Sequence, residues 1–125
     1  MYRYASVSRR NFKVRWGLGS GLVQDHHAIP RQWREHPVVR SVRYDFNSSD
    51  NIVMMPTPLA FKCMNIRQDR MVHYGGHKKY NLYVGMWLDH IQKIKDPQEM
   101  MDEFYNFRDF LKRNCRDNRD HIPWR

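Results

Sequence analysis

Two consecutive helical patterns close this chain, and they limit its fold more than anything before them. "GHKKYNLYVGMWLDHIQKIK" places Tyr80, Val84, Trp87, Leu88, Ile91 and Ile94 at helical spacing, which predicts a helix with one apolar face. A second helix has a clear start in "DPQE". Asp96 is a capping residue, Pro97 suits the first helical position, and Glu99 follows three residues after the cap. Met100, Phe104, Phe107 and Leu111 then form its apolar face. These stripes read as core rather than as a cofactor box.

Upstream the pattern shortens. "NFKVRWGLGSGLVQDHH" reads as two short strands around a glycine-rich turn: Phe12, Val14 and Trp16 alternate with Lys13 and Arg15, and Gly17, Gly19 and Gly21 punctuate the link. The glycines do not spell GxxxxGK[ST], so a turn is expected and not a phosphate loop. "IPRQWREHP" predicts one helical turn after Pro30, ending before Pro37, because a residue preceding proline avoids the helical region. "DFNSSD" is a polar turn cluster, and "NIVMMP" a strand closed by Pro56. Residues 57–72 show no readable pattern. With no internal repeat and no long linker, the 125 residues form one domain of α+β class.

Hydrophobic residues are 41% of the chain, enough for a modest core, and Lys and Arg number 22 against 13 Asp and Glu, a formal charge of +9. That balance suits a polyanionic partner, either nucleic acid or a membrane surface; a plain solvated basic surface is the alternative. The first 24 residues hold Arg3, Arg9, Arg10, Lys13 and Arg15 and no acid, which reads as a basic arm along phosphates or as the composition of a transit peptide. No run of about 18 apolar residues occurs, so no membrane span or membrane partner is expected, and no apolar signal-peptide core follows the N-terminus. Cys63 and Cys115 lie far apart with no Cys-x-x-Cys spacing, consistent with free thiols in a reducing compartment. An intracellular location with nucleic acid follows, with a virion or an organelle left open.

The chemistry concentrates in "VQDHHAIP". Asp25, His26 and His27 stand side by side at the end of a predicted strand. Adjacent imidazoles are poor packing material, but they make sense if one binds a metal and the other takes a proton. Downstream, Asn51 opens the strand "NIVMMP", and "HYGGHKKY" places His73 and His77 four residues apart, about one helical turn, where both can project to one side. Each piece alone is weak: a lone H-x3-H is more often an exposed helical pair, and a lone Asn at a strand start is usually a turn residue. His36, His90 and His121 match nothing and read as surface or core histidines.

In their order and contexts, "DHHAIP", "DNIVMMP" and "HYGGHKKYN" resemble the HNH, or His-Me finger, nucleases with their ββα-metal fold, and most closely the AHH-type branch. The resemblance covers about residues 22–95. It implies a ββα-metal nuclease core over 22–95, preceded by a basic N-terminal arm and strand over 1–21 and followed by a C-terminal helix and tail over 96–125. A hairpin near residues 22–27 and 51–55 would pack on a helix beginning near His77. Asp25 stands where the name AHH implies alanine, and the gap from Asn51 to His73 is longer than in compact bacteriocin nucleases of the superfamily.

By the family pattern, the general base sits three residues before the proline of the H-x-x-P segment. That is His27, which makes His26 a metal ligand with His73 and His77. The other register, with Asp25 as ligand and His26 as base, puts Pro30 at the wrong distance. Asn51, by resemblance, fixes the loop bearing His27. Arg31, Arg34, Lys78 and Lys79 flank the site in sequence and could grip phosphates. The implied function is a metal-dependent endonuclease of low sequence specificity, acting on nucleic acid, DNA ahead of RNA. Three imidazoles suit Zn²⁺, Ni²⁺ or Mn²⁺ better than Mg²⁺. The alternative is an inactive, basic nucleic-acid-binding subunit of a virion or organellar assembly on the same fold, and an inhibitor protein or larger assembly stays open as a further partner.

Overall fold

Val23–His27 (β1) and Ile52–Pro56 (β2) pair antiparallel, with Val23 opposite Pro56 and His27 opposite Ile52. The computed structural model describes residues 2–19, 21–67 and 69–125. Among them, five helices surround this two-stranded sheet: α1 Val7–Arg15, α2 Pro37–Ser41, α3 Pro58–Cys63, α4 Lys78–Gln92 and α5 Pro97–Asp117, with single 3₁₀ turns at Arg31–Trp33 and Ser49–Asn51. The class is α+β, as the patterns predict. The expected glycine-rich turn includes Ser20, and the unreadable stretch includes Gln68; both lie outside the described residues.

The two C-terminal helices form as their periodicity requires. Tyr80, Val84, Leu88 and Ile91 of α4 are buried, as are Phe104 and Leu111 of α5. Asp96 caps α5, its carboxylate accepting the Glu99 N–H at 2.9 Å. Val53 and Met55 of β2, Ala28, Ile29, Val38 and Val39 complete the core from the other side. Trp87 does not join it: it is 41% exposed beside Phe107.

The N-terminal strand expected around Phe12, Val14 and Trp16 is absent, and residues 7–15 are helical instead. Ser6 caps α1 by accepting the Arg9 N–H at 3.1 Å. Arg9 and Lys13, one turn apart, then reach a single carboxylate: Arg9 Nε and Nη2 donate to Asp25 at 2.5 and 2.9 Å, and Lys13 Nζ lies 3.0 Å from it. An alternation of five residues cannot separate strand from helix, and here the pair of basic residues at i and i+4 carries the period. The expected basic arm is therefore a packed helix: Arg9 and Lys13 are spent on Asp25, and Arg3 pairs with Asp45.

Residues 57–72 have a use. Thr57 caps α3, accepting the Ala60 N–H at 3.4 Å. The chain then returns along the edge of β2 that faces away from β1. There Arg70 Nη2 donates to Met54 O at 2.6 Å and His73 N donates to Pro56 O at 2.8 Å. The segment covers an otherwise open strand edge and delivers His73 beside the sheet.

Gly85 marks the closest packing of α4. A Cβ there would stand 2.4 Å from the Trp33 ring, whose Nε1 donates to Asn81 O at 2.9 Å. Gly85→Ala should cost about 1–3 kcal/mol of stability despite alanine's better helix propensity. Urea unfolding measures it; a neutral or stabilised variant would show that Trp33 moves aside freely.

Candidate functional site

β1 ends the sheet on its outer side, and a polar cleft of about 280 Å³ runs along it. Gln24, Asp25, His26 and His27 all line this cleft, together with Tyr4, Pro30, Arg31, His73, His77 and Asn81. Neighbouring strand residues point to opposite faces, so both histidines facing one pocket would call for a bulge. The pairing is unbroken from Val23 to His27. The cleft lies along the strand's free edge instead, within reach of both faces.

His26 points inward and is 2% exposed. His73, on the segment bordering β2, and His77, the residue before α4, converge on it: one nitrogen from each of the three lies within 4.8 Å of the others. That is close to the roughly 4 Å that two metal–nitrogen bonds of about 2 Å span. His26 Nε2 is buried with no hydrogen-bond partner. Burial, reinforced by the neighbouring His77, His73 and His27, holds the His26 pKa well below its usual 6.5. Burial also lowers His73. Neutral imidazoles with free lone pairs are the ligand form. His77 Nδ1 lies 3.0 Å from Asn81 Oδ1. With Nδ1–H donating, Nε2 is left to face a metal, the outer-shell arrangement common for ligating histidines. These residues fit a divalent ion by geometry and by the chemistry of their nitrogens.

Trp124 walls this group. It is 8% exposed, and its ring lies 4.9, 5.2 and 5.1 Å from the rings of His26, His73 and His77. Its Nε1 donates to Tyr74 O and its carbonyl accepts the Tyr80 N–H, both at 3.1 Å. The Tyr80 hydroxyl donates to Ala28 O at 2.6 Å, tying α4 to the end of β1.

His27 is half-buried. Its Nε2 lies 3.1 Å from Asn47 Oδ1, and its ring stands edge-on to Tyr4 at 4.5 Å. Burial lowers its pKa, the Asn47 contact opposes this, and Arg31 adds to it. Asn51 is fully buried. Its Oδ1 accepts from Ile29 N at 2.8 Å and the Tyr44 hydroxyl at 2.7 Å, and its Nδ2 donates to Ile29 O and Phe46 O. Asn51 thus pins the backbone just after His27, while Asn47 touches the imidazole itself. Asp25 is absent from the histidine cluster, held in its ion pairs. Burial would raise its pKa, but Arg9 and Lys13 outweigh that and keep it ionised.

Of the expected phosphate-gripping residues, Arg31 lines the cleft, with its guanidinium 5.2 Å from the centre of the Tyr4 ring. Arg34 is exposed in an adjoining groove that Arg31 also lines. Lys78 and Lys79 are exposed in the first turn of α4, directly after His77. His36 is buried, capping α2 through Val38 N and contacting Asp89 at 2.8 Å; His90 and His121 are exposed. The sequence patterns give Asn47, Asn81 and Trp124 no role in the site. Asn81 carried a usable signal, four residues after His77 at the start of a helix. Asn47 sits in a turn cluster that looks like any other, and Trp124 lies in a tail with no pattern.

Two short strands and a helix thus surround three convergent histidines, with a fourth histidine in the same cleft. Residues 14–111 match AHH, a nuclease family of the HNH/ENDO VII superfamily with conserved AHH, and the chain belongs to that family. It carries Asp25-His26-His27 where the family's description has Ala-His-His. The matched stretch runs past 22–95 at both ends and takes in most of α5. No curated protein and no solved structure matches the chain. Nucleic acid is the substrate class that membership implies, and no helix among the described residues is long and apolar enough to cross a membrane.

If the three histidines hold an ion, Zn²⁺ at 100 times its dissociation constant should stabilise the protein by about 2.7 kcal/mol. His77→Ala should lose most of that gain. Thermal unfolding with and without Zn²⁺ measures both; equal gains in the two proteins would place the ion elsewhere.

Proposed function

We propose that the chain is a metal-dependent endonuclease on a ββα-metal core, with His27 as general base and His26, His73 and His77 as ligands of a divalent ion. The observation that carries this reading is the shared cleft: three imidazoles converge on one point, and the only other cleft imidazole is His27. Bound there, a divalent ion would offset charge on the attacked phosphate and on the departing oxygen.

The remaining work falls to side chains of this chain. With Nε2–H donating to Asn47, His27 keeps its lone pair on Nδ1, free to take a proton from water as the water oxygen attacks phosphorus. The phosphorus–oxygen bond to the leaving group breaks, its electron pair goes to that oxygen, and the oxygen takes a proton from solvent water to leave as an alcohol. A pKa lowered by burial keeps His27 unprotonated, and so competent as a base, at neutral pH. Asn51 positions His27 by fixing the Ala28–Pro30 backbone and takes no part in proton transfer. Arg31 lines the cleft, Arg34 lies in the adjoining groove, and Lys78 and Lys79 follow His77 in the first turn of α4; all would hold phosphates flanking the attacked one. None of them supplies a base-reading element in a groove, which fits low sequence specificity. The three-imidazole set favours Zn²⁺, Ni²⁺ or Mn²⁺ over Mg²⁺.

His27→Ala should lower cleavage by about 10²- to 10⁴-fold. It should leave Zn²⁺ stabilisation and nucleic-acid binding in EDTA nearly intact. Gel assays on plasmid DNA and on a structured RNA, paired with anisotropy binding, test this. A His27→Ala protein that cleaves like wild type would exclude the base assignment. A wild type that binds tightly but cuts nothing would favour a structural nucleic-acid-binding role.

A further inference from the structure

A second basic concavity lies on the other strand. Ile52, Val53 and Met54 of β2 form its floor, with Arg70 on one side and Lys112, Arg113 and Arg116 of α5 on the other; its volume is about 370 Å³. It shares no lining residue with the histidine cleft. No acidic residue lines it, whereas four cations do.

Those cations are poorly compensated. Asp117, which pairs with Arg116 at 3.5 Å, is also shared with Arg67 and with Arg119 at 3.6 Å, and Asp109 on the same helix pairs with Arg108. Among the described residues, Arg70, Lys112 and Arg113 have no ion-pair partner within 4.0 Å. Arg70 is the most exacting case. Its Nη2 is spent on Met54 O, and its Nη1 is buried with no hydrogen-bond partner. Burial and the nearby Arg116 and Arg67 lower its pKa, with Asp117 opposing. A guanidinium in that position gains from an anion that accepts its remaining donors in a planar fork, and phosphate oxygens suit that geometry. On α5, Lys112 and Arg113 are adjacent and Arg116 follows one turn after Lys112, so three cations occupy one turn and Arg70 adds a fourth from the other side. Four cations around an apolar floor exceed what one free anion would engage and suit neighbouring phosphates of one backbone.

We propose that Arg70, Lys112, Arg113 and Arg116 form a second phosphate-binding groove that holds the nucleic-acid backbone away from the cleaved bond. This rests on the nuclease reading for its choice of ligand. The groove would add affinity without sequence preference and would anchor a long substrate while the cleft acts on another part of it.

The test uses the full chain in EDTA, so that no cleavage occurs. A Lys112→Gln, Arg113→Gln, Arg116→Gln protein is compared with wild type and with a charge-matched control, Lys62→Gln, Lys93→Gln, Lys95→Gln, whose positions are exposed outside both grooves. Arg70 is left in place because it also caps β2, and thermal unfolding checks that both variants fold. Binding to a labelled 40-base-pair duplex is measured across salt. The groove variant should lose slope in log K against log salt by about 2.7, about 0.9 for each phosphate contact removed, while the control changes little. Equal losses in both variants would overturn the groove, leaving only diffuse charge. So would a groove variant that binds DNA normally but no longer binds phosphatidylserine vesicles, which would assign the groove to lipid headgroups. Cleavage of the same duplex, measured separately with a divalent ion added, separates the two readings. If it persists in the groove variant while duplex binding is unchanged, the groove fails and the nuclease stands. If wild type binds through the groove but cleaves nothing, the groove stands without the nuclease.

Discussion

A buried imidazole with an unpartnered nitrogen is the costly element on which this structure turns. His26 is 2% exposed, and among the described residues no group bonds its Nε2. Such a group costs roughly 1–3 kcal/mol unless something satisfies it. Three separate parts of the fold are spent on surrounding it. The 57–72 return along β2 brings His73, the first turn of α4 brings His77 with Asn81 behind it, and the C-terminal tail brings Trp124 against all three rings. A chain needing only a core would fill that position with leucine or valine. One nitrogen from each of the three histidines lies within 4.8 Å of the others, an arrangement that could hold a metal ion.

Alternation along β1 divides the labour. His26 faces the helices, while Asp25 and His27 share the other face. On that face Asp25 draws in Arg9 and Lys13 and so docks α1, and docking α1 brings Tyr4 against His27 and Arg31. The Tyr4 N–H donates to Asn47 O at 2.9 Å, and the Asn47 side chain meets His27, so the arm and the turn before β2 hold the imidazole from two sides. Asp25, in the position where the family has alanine, thereby acts as an anchor for the N-terminal helix. Its two ion pairs link Asp25 to the setting of the fourth histidine.

Much of this was legible beforehand, for a physical reason. Helical faces of 15 residues or more carry enough apolar repeats to be read, and "DPQE" states its own cap; α4 and α5 follow. The β1–β2 pairing and the convergence of His26, His73 and His77 follow from the family resemblance that the ordered motifs carry. Short and long-range features were not legible. Phe12, Val14 and Trp16 alternate as a strand would, and only the meeting of Arg9 and Lys13 with Asp25, a tertiary contact, shows the helix. Trp124 reaches the site from 47 residues beyond His77, and no local pattern announces such a contact. Asn47 resembles every other turn asparagine until the fold brings His27 to it.

The central claim is that this cleft cuts nucleic acid with a histidine-bound ion. It is tested most directly by incubating the purified chain with supercoiled plasmid DNA and with RNA, after exhaustive EDTA treatment and again after adding back Zn²⁺, Ni²⁺, Mn²⁺ or Mg²⁺ singly. The account predicts no cleavage after chelation and restored cleavage with at least one of the ions that imidazoles favour. Cleavage undiminished by EDTA would contradict it.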